Sequence, residues 1–389
     1  MKPVRFLSPT FPSAEDIAAD YAEILGRGWF SNMGPFEQQL TGDIEKWVGS
    51  GVHASVVTSC TTGLAMAIGA TFQQGKKFAI VASFTFAAGP LTIRNTGFEP
   101  VFVDVDPVSW QPLASDAERL LKQHRDQVAG ILLTTTFGVA DAAIEQWEWL
   151  ATKYGLPLVI DTAAGFGAAR ESGERLGARG TCEVFSLHAT KMMAIGEGGV
   201  ITSRNAEFIR QMEQLKNFGF DAQHRCASLG TNAKLPELSA AIGVRQMKAL
   251  PQRLELRQQV VRDYLHALTP LGVKFQPGIE LSAPAFVSAL LPSGAARDIA
   301  LSTLRDNGVE CRDYYNPPMH RQPYFATAPR ASDLTVTDDL SARMLSLPMA
   351  DALSPEVPGR VANVIETILS PAPDGPAQRL EHLVPHSAA

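Results

Sequence analysis

The chain has 389 residues, 45% of them hydrophobic and 19% charged, with a formal net charge of −6. That length suits one large domain or a large domain with a smaller companion, and the composition is that of an ordinary soluble globular protein. A net negative charge argues against a general nucleic-acid binder, whose affinity comes from accumulated Lys and Arg, but it leaves room for an anionic small substrate held by a local positive field.

The opening MKPVRFLSPTFPSAEDI lacks the apolar core of a signal peptide. No segment approaches the roughly 18 to 20 apolar residues that span a bilayer, so no membrane is expected. Cys60, Cys182, Cys226 and Cys311 are scattered, without a CxxC pair or zinc spacing. The reading is reduced thiols in a cytoplasmic protein with no bound metal.

Short β-branched runs then alternate with helical patterns. HASVV (53–57) precedes TTGLAMAIGATF, and KFAIVAS (77–83) precedes FAAGPLTIRN. PVFVDV (100–105) leads to SDAERLLKQHRDQ, and GILLTT (130–135) to DAAIEQWEWLATKYG. LPLVID (156–161) and GGVITS (198–203) are further strands, and AEFIRQMEQLKNFG is another helix. Apolar strands without alternation, each followed by an amphipathic helix, predict an α/β fold with a mainly parallel sheet covered on both faces.

A long helical pattern runs from about Leu235 to Thr269, with a break expected near Pro251. Beyond it VKFQPG, FVSALLP, AARDIALSTLRDNG and VECRDYY suggest a small α+β domain. The boundaries read as a large domain over 1–246, a connecting helix and small domain over 247–370, and a tail, 371–389, rich in Pro and small residues and expected to be poorly ordered.

Ligands of such sheets bind beyond the carboxyl ends of the strands. Strand 156–161 ends there in Asp161, although an isolated aspartate serves equally well as a helix N-cap. Thirty residues on, FSLHATKMMAIGEGG (185–199) places Lys191 between an apolar run and glycines. Desolvation there would lower its pKa and favour the neutral amine that forms a Schiff base. An acid at a strand end with a desolvated lysine is the minimum that pyridoxal phosphate demands: the lysine holds the aldehyde, and the carboxylate keeps the pyridine nitrogen protonated.

The cofactor's phosphate needs donors. SVVTSCTTGLAMAIGA (55–70) offers a turn and a helix start, with Thr61 and Thr62 in the first turn. Ser186 is a further hydroxyl candidate. Phe86, after the next strand, could stack on the ring, though a phenylalanine is more often core. His188 could shuttle a proton or merely hold structure. Tyr314 and Tyr315 carry no signal of their own.

These residues, in this order, resemble the DegT/StrS family of PLP-dependent sugar aminotransferases, of the aspartate-aminotransferase fold (fold type I). The likeness runs from about Arg27 to Leu369: GRGWFSNMGPFEQQL, TSCTTGL, SFTF, PVFVDVD, TTTFG, FSLHATK with GEGG, GTNAKLPELSAAIGVRQM, RDYYNPPMH and LSLPM. The resemblance puts the catalytic pair on Asp161 and Lys191 and the stacking ring on Phe86. It also assigns Asn232 to the phosphate of a neighbouring subunit, implying a homodimer with shared active sites. Trp29, His188, Tyr314 and His320 are the expected substrate contacts.

One departure stands out. The family usually follows the Asp with D-x-A-Q or a histidine variant, whose polar side chain lies near the cofactor's phenolic oxygen; here DTAAGFG puts Ala164 in that place. HATK and NAKLPE resemble the subgroup acting at C4 of dTDP-4-keto-6-deoxyglucose. Relatives with histidine for the lysine dehydrate or deoxygenate their sugars, whereas a lysine permits transamination. The expected activity is transfer of an amino group from L-glutamate to a nucleotide-linked keto sugar. The alternatives are a 3-keto sugar or aminocyclitol precursor, or a non-catalytic regulatory protein of the same fold.

Overall fold

A computed structural model describes residues 3–370; the tail expected to be poorly ordered, 371–389, lies outside the described residues. The chain enters through a short strand, β1 (Leu7–Ser8), and two helices, α1 (Ala14–Arg27) and α2 (Pro35–Val48). Ser13 caps α1 by accepting from the Asp16 N–H at 3.1 Å, and Gly28, at φ 64°, closes it in the left-handed region.

Seven strands follow: β2 (His53–Val57), β3 (Phe78–Ala82), β4 (Glu99–Val103), β5 (Val128–Thr134), β6 (Leu158–Asp161), β7 (Cys182–Ser186) and β8 (Gly199–Ser203). They form one sheet in the order β2-β8-β7-β6-β5-β3-β4, parallel except for β8, which runs antiparallel to both of its neighbours. Helices α3 (Cys60–Thr71), α4 (Ala88–Asn95), α5 (Ala114–His124), α6 (Ile144–Tyr154) and α7 (Ala206–Leu215) connect or cover them. The unbroken apolar strands are explained by burial on both faces. Ile131, Leu133 and Ile160 pack with Trp147 and Leu150, while Leu132, Val159 and Val184 pack with Leu64 and Ile68.

Helix α8 (Glu237–Leu268) departs from expectation. It runs 32 residues straight through Pro251, where a break was predicted. Pro251 faces solvent while Leu250 and Leu254 are buried, so the packed side carries the helix past the missing N–H. The boundary drawn between 246 and 247 therefore falls inside one continuous helix.

Beyond α8, strands β9 (Lys274–Phe275), β10 (Val287–Leu290) and β11 (Met344–Leu347) make a three-stranded antiparallel sheet in the order β11-β10-β9. Helices α9 (Gly294–Asp306), α10 (Thr335–Arg343) and α11 (Glu356–Leu369) accompany it. A short strand β12 (Met349–Ala350) pairs in parallel with β1. Val4 also bridges Val309, and the Phe6 N–H donates to Glu310 at 3.1 Å. The first residues, grouped by sequence with the large domain, thus pair with the small one.

A buried ion cluster joins the N-terminal helices to the sheet. Lys216, 1% exposed, donates to Glu37 and Glu213 at 2.7 Å each, and to the Val56 carbonyl at 3.4 Å. Glu237, at the start of α8, accepts from the Phe36 and Glu37 N–H groups at 3.0 and 2.9 Å and so caps α2. Burial raises the Glu37 pKa, opposed by the Lys216 ammonium. Lys216→Met should leave the Glu37 carboxylate buried without its cation and destabilise the protein by about 3–5 kcal/mol, read from the urea midpoint. A loss under about 1 kcal/mol would show that the cluster relaxes without it.

Candidate active site

The carboxyl ends of β2, β3, β5, β6 and β7 open into a cavity of about 430 Å³, closed on its other side by small-domain residues Phe286, Tyr314 and Tyr315. Thr61, Phe86, Asp161, Ser186, His188, Lys191 and Tyr314, all picked out from sequence, line it together. So does Leu7, brought there by the pairing of β1 with the small domain.

Asp161 is the last residue of β6 and 6% exposed, in register with Thr134 of β5. Its Oδ1 accepts from the Ala163 N–H at 3.1 Å; among the described residues nothing donates to Oδ2. Desolvation pushes its pKa up to about 6, against the pull of that N–H and of Lys191. A carboxylate this buried, with an oxygen free at the cavity wall, suits a protonated ring nitrogen.

Lys191 sits in the connection between β7 and β8, which pair antiparallel. The apolar run that follows is an anchor: Met192, Met193 and Ile195 are buried in the core, and the Ile195 N–H donates back to the Leu187 carbonyl at 2.9 Å. The lysine side chain is left enclosed against the cavity. Desolvation lowers its pKa, opposed by Cys60 and then by the Asp161 charge.

Opposite lies the first turn of α3. Ser59 accepts from the Thr62 N–H at 3.1 Å and meets the Thr62 hydroxyl at 2.9 Å. Thr62 is therefore occupied in the cap and does not line the cavity, unlike Thr61. The Cys60 and Thr61 amides have no helical partner, which is the ordinary condition of a helix start and a ready anion site. Gly199 explains part of the GEGG run: a Cβ there would lie 2.6 Å from the Cys60 nitrogen and the Ser59 carbonyl carbon. Free amides, the Ser186 hydroxyl at the wall and the free Asp161 oxygen make a cradle that fits pyridoxal phosphate.

Phe86 is 64% exposed at the cavity rim, so its ring is available to a ligand rather than spent in the core. His188 is held from two sides. Its Nδ1 accepts from the Thr190 N–H at 3.2 Å and meets the Thr190 hydroxyl at 2.8 Å, leaving Nε2 3.5 Å from Glu197. In the neutral ring the proton must then sit on Nε2.

Three other sequence candidates lie outside the cavity wall. His320 is buried, with Nδ1 2.7 Å from the Ser83 hydroxyl and Nε2 3.2 Å from Asp338. It fixes the segment after β3 and does not line the cavity. Trp29 is 45% exposed, its indole N–H donating to the Asn32 carbonyl at 3.3 Å. Asn232 is exposed and accepts from Lys234 at 2.6 Å. Thr134, Thr135, Phe137, Glu197 and Tyr315 line the cavity without having been singled out. They reach it from the end of β5, the turn before β8 and the small domain; the TTTFG, GEGG and RDYYNPPMH motifs contain them, but a motif alone does not say which of its residues face a ligand.

A profile of the DegT/DnrJ/EryC1/StrS aminotransferase family matches residues 13–368, beginning earlier than the motifs suggested. Protein Rv3402c of Mycobacterium tuberculosis is 38% identical over 368 residues, covering 93% of this chain and 89% of that protein. The dTDP-4-amino-4,6-dideoxy-D-glucose transaminase of Shigella dysenteriae is 26% identical, covering 94% of this chain and 99% of that one. Among solved structures, DesI in the presence of its TDP-sugar product superposes with a TM-score of 0.85 at 28% identity, covering 95% of this chain and 93% of that chain.

The Asp161 carboxyl binds its proton more tightly folded than unfolded, so in the cofactor-free protein its contribution to stability is present near pH 4 and lost as pH rises through about 6. Asp161→Asn should therefore stabilise the cofactor-free protein at pH 7.5 by up to about 3 kcal/mol, with little effect near pH 4. Urea midpoints at the two pH values would show it; equal changes at both would mean that the carboxylate carries no burial penalty.

Proposed function

Since the chain belongs to the DegT/DnrJ/EryC1/StrS aminotransferase family, whose enzymes depend on pyridoxal phosphate, we propose that it transfers an amino group from L-glutamate to a keto carbon of a nucleotide-linked sugar. The sugar we favour is dTDP-4-keto-6-deoxy-D-glucose, giving dTDP-4-amino-4,6-dideoxy-D-glucose. The observation that carries the reading is the meeting, in one cavity, of a free Asp161 oxygen and a desolvated Lys191 beside the amides that open α3. The HATK and NAKLPE forms and the sugar named for the Shigella transaminase favour the C4 substrate, and the TDP-sugar product of DesI favours the nucleotide.

When bound, the cofactor supplies the aldehyde that takes up the amine and the ring that accepts the electron pair. The chain's residues do the rest. Lys191 holds the cofactor and, once released, moves a proton at Nζ between substrate carbon and cofactor. Asp161 keeps a proton on the ring nitrogen through Oδ2, and Phe86 covers one ring face. Thr61 and Ser186 hold the phosphate, and Thr62 steadies their turn through Ser59. Asn232 reaches the phosphate of a second copy, in a homodimer working in the cytoplasm. The exposure of Phe86, Phe30 and Trp29, at 64%, 52% and 45%, supports such an assembly. His188, with Nε2 toward Glu197, and Tyr314 meet the sugar, a reading supported by their position on the cavity wall.

Loaded with pyridoxal phosphate, the protein should show a visible absorption band that L-glutamate discharges and a keto sugar restores. Lys191→Ala should lack that band and lose turnover by roughly 100- to 10,000-fold. A variant that still turns over at the parent rate would remove Lys191 from the reaction. Discharge by glutamate without restoration by dTDP-4-keto-6-deoxy-D-glucose would leave the aminotransferase and reject the sugar.

A further inference from the structure

Ala164 lines the cavity but brings it no polar side chain. Its backbone is pinned: Gly138, at φ 78°, passes so close that a Cβ there would lie 2.3 Å from the Ala164 carbonyl oxygen. That carbonyl accepts and cannot donate. The ring's substitution pattern decides what this wall must offer. Nitrogen and aldehyde stand opposite each other, and the phosphate arm and phenolic oxygen flank the aldehyde on opposite sides. With nitrogen at Asp161, aldehyde at Lys191 and phosphate at the α3 turn, the phenolic oxygen would face away from that turn, toward the part of the lining that includes Ala164, Thr135, Phe137 and Tyr315. It carries negative charge and requires a donor.

Thr135 is already engaged, and Thr85 and Thr134 share one bond that leaves a single proton between them unspent. The Thr85 hydroxyl pairs with Thr134 at 3.2 Å, and Thr135 with Thr162 at 3.3 Å, Thr162 itself donating to Glu183 at 2.9 Å. Tyr315 is different. Its ring stacks on Phe137 at 5.2 Å and 14°, stacks on Tyr314 at 5.9 Å, and meets Phe84 edge-on at 5.6 Å. Only its backbone carbonyl takes a hydrogen bond, from Ser341 at 2.6 Å. Among the described residues its hydroxyl has no partner, although the residue lines the cavity. A phenol held by three aromatic rings and left without a partner is a pre-positioned donor.

We propose that the Tyr315 hydroxyl donates to the phenolic oxygen of the bound cofactor, supplying from the small domain the hydrogen bond that Ala164 cannot. Burial, and after it the Asp161 charge, holds this phenol well above its usual pKa, so it stays a donor at any working pH. The inference rests on the cofactor orientation given above.

The test is a pH titration of the visible band of the full-length protein loaded with pyridoxal phosphate. A hydrogen bond to the phenolic oxygen competes with the proton that the cofactor-bound lysine nitrogen shares with that oxygen. Removing it should raise the pH of the spectral transition. Tyr315→Phe is expected to shift it upward by roughly one to two units, while the melting temperature of the cofactor-free protein stays unchanged because the hydroxyl makes no bond among the described residues. Adding Ala164→Gln to that variant should bring the transition back down. Site-specific 3-fluorotyrosine at 315, a stronger donor that keeps the ring stack, should lower it below the parent value. A Tyr315→Phe transition that coincides with the parent's, or a fluorotyrosine one that does not move, overturns the proposal. Absence of any visible band in the parent protein would instead overturn the cofactor site, and this inference with it.

Discussion

The site depends on β8 running antiparallel between β2 and β7. Gly199 is paired with Val57 on one side and Ser186 on the other, so the ends of two parallel strands meet across one residue. On one side the turn at Ser59 opens a helix toward the cavity. On the other, the connection from β7 to β8 must reverse direction within a dozen residues, and Lys191 sits in that reversal. The close approach of the Ser59–Cys60 backbone leaves no room for a Cβ at 199. Anion turn and reactive lysine are therefore brought together by one strand direction and one missing side chain.

The cavity also concentrates groups that are poorly solvated without a ligand. Asp161 and Lys191 are both desolvated and their charges only partly compensate each other, whereas Lys216, deeper still, has two carboxylates at 2.7 Å. The contrast separates a structural ion cluster, satisfied on its own, from a site that a charged ligand completes. The same logic applies to Tyr315, whose hydroxyl has no partner among the described residues, whereas the threonine hydroxyls beside it are paired with one another.

Much of the architecture was legible because its signals are local. Strands such as VAGILLT are buried along their whole length, and an unbroken apolar run states that directly. Asp161 and Lys191 were legible because each ends or follows such a run. Pro251 misled, since the rule that proline breaks a helix takes no account of which side of the helix is packed. His320 misled too: its motif marks a position in the chain, but burial against Ser83 and Asp338 uses the ring for structure.

The sequence by itself determined the alternation of strands and helices, the acid and lysine at strand ends and the turn and helix start within 55–70, because each is written in neighbouring residues. Only the tertiary structure decided that β1 joins the small domain and delivers Leu7, that Thr62 is spent on a cap, and that Tyr315 closes the wall left bare by Ala164. Those outcomes rest on contacts between segments hundreds of residues apart or on competition for one hydroxyl. A linear pattern carries neither distance nor competition, so they become visible only once the chain is packed.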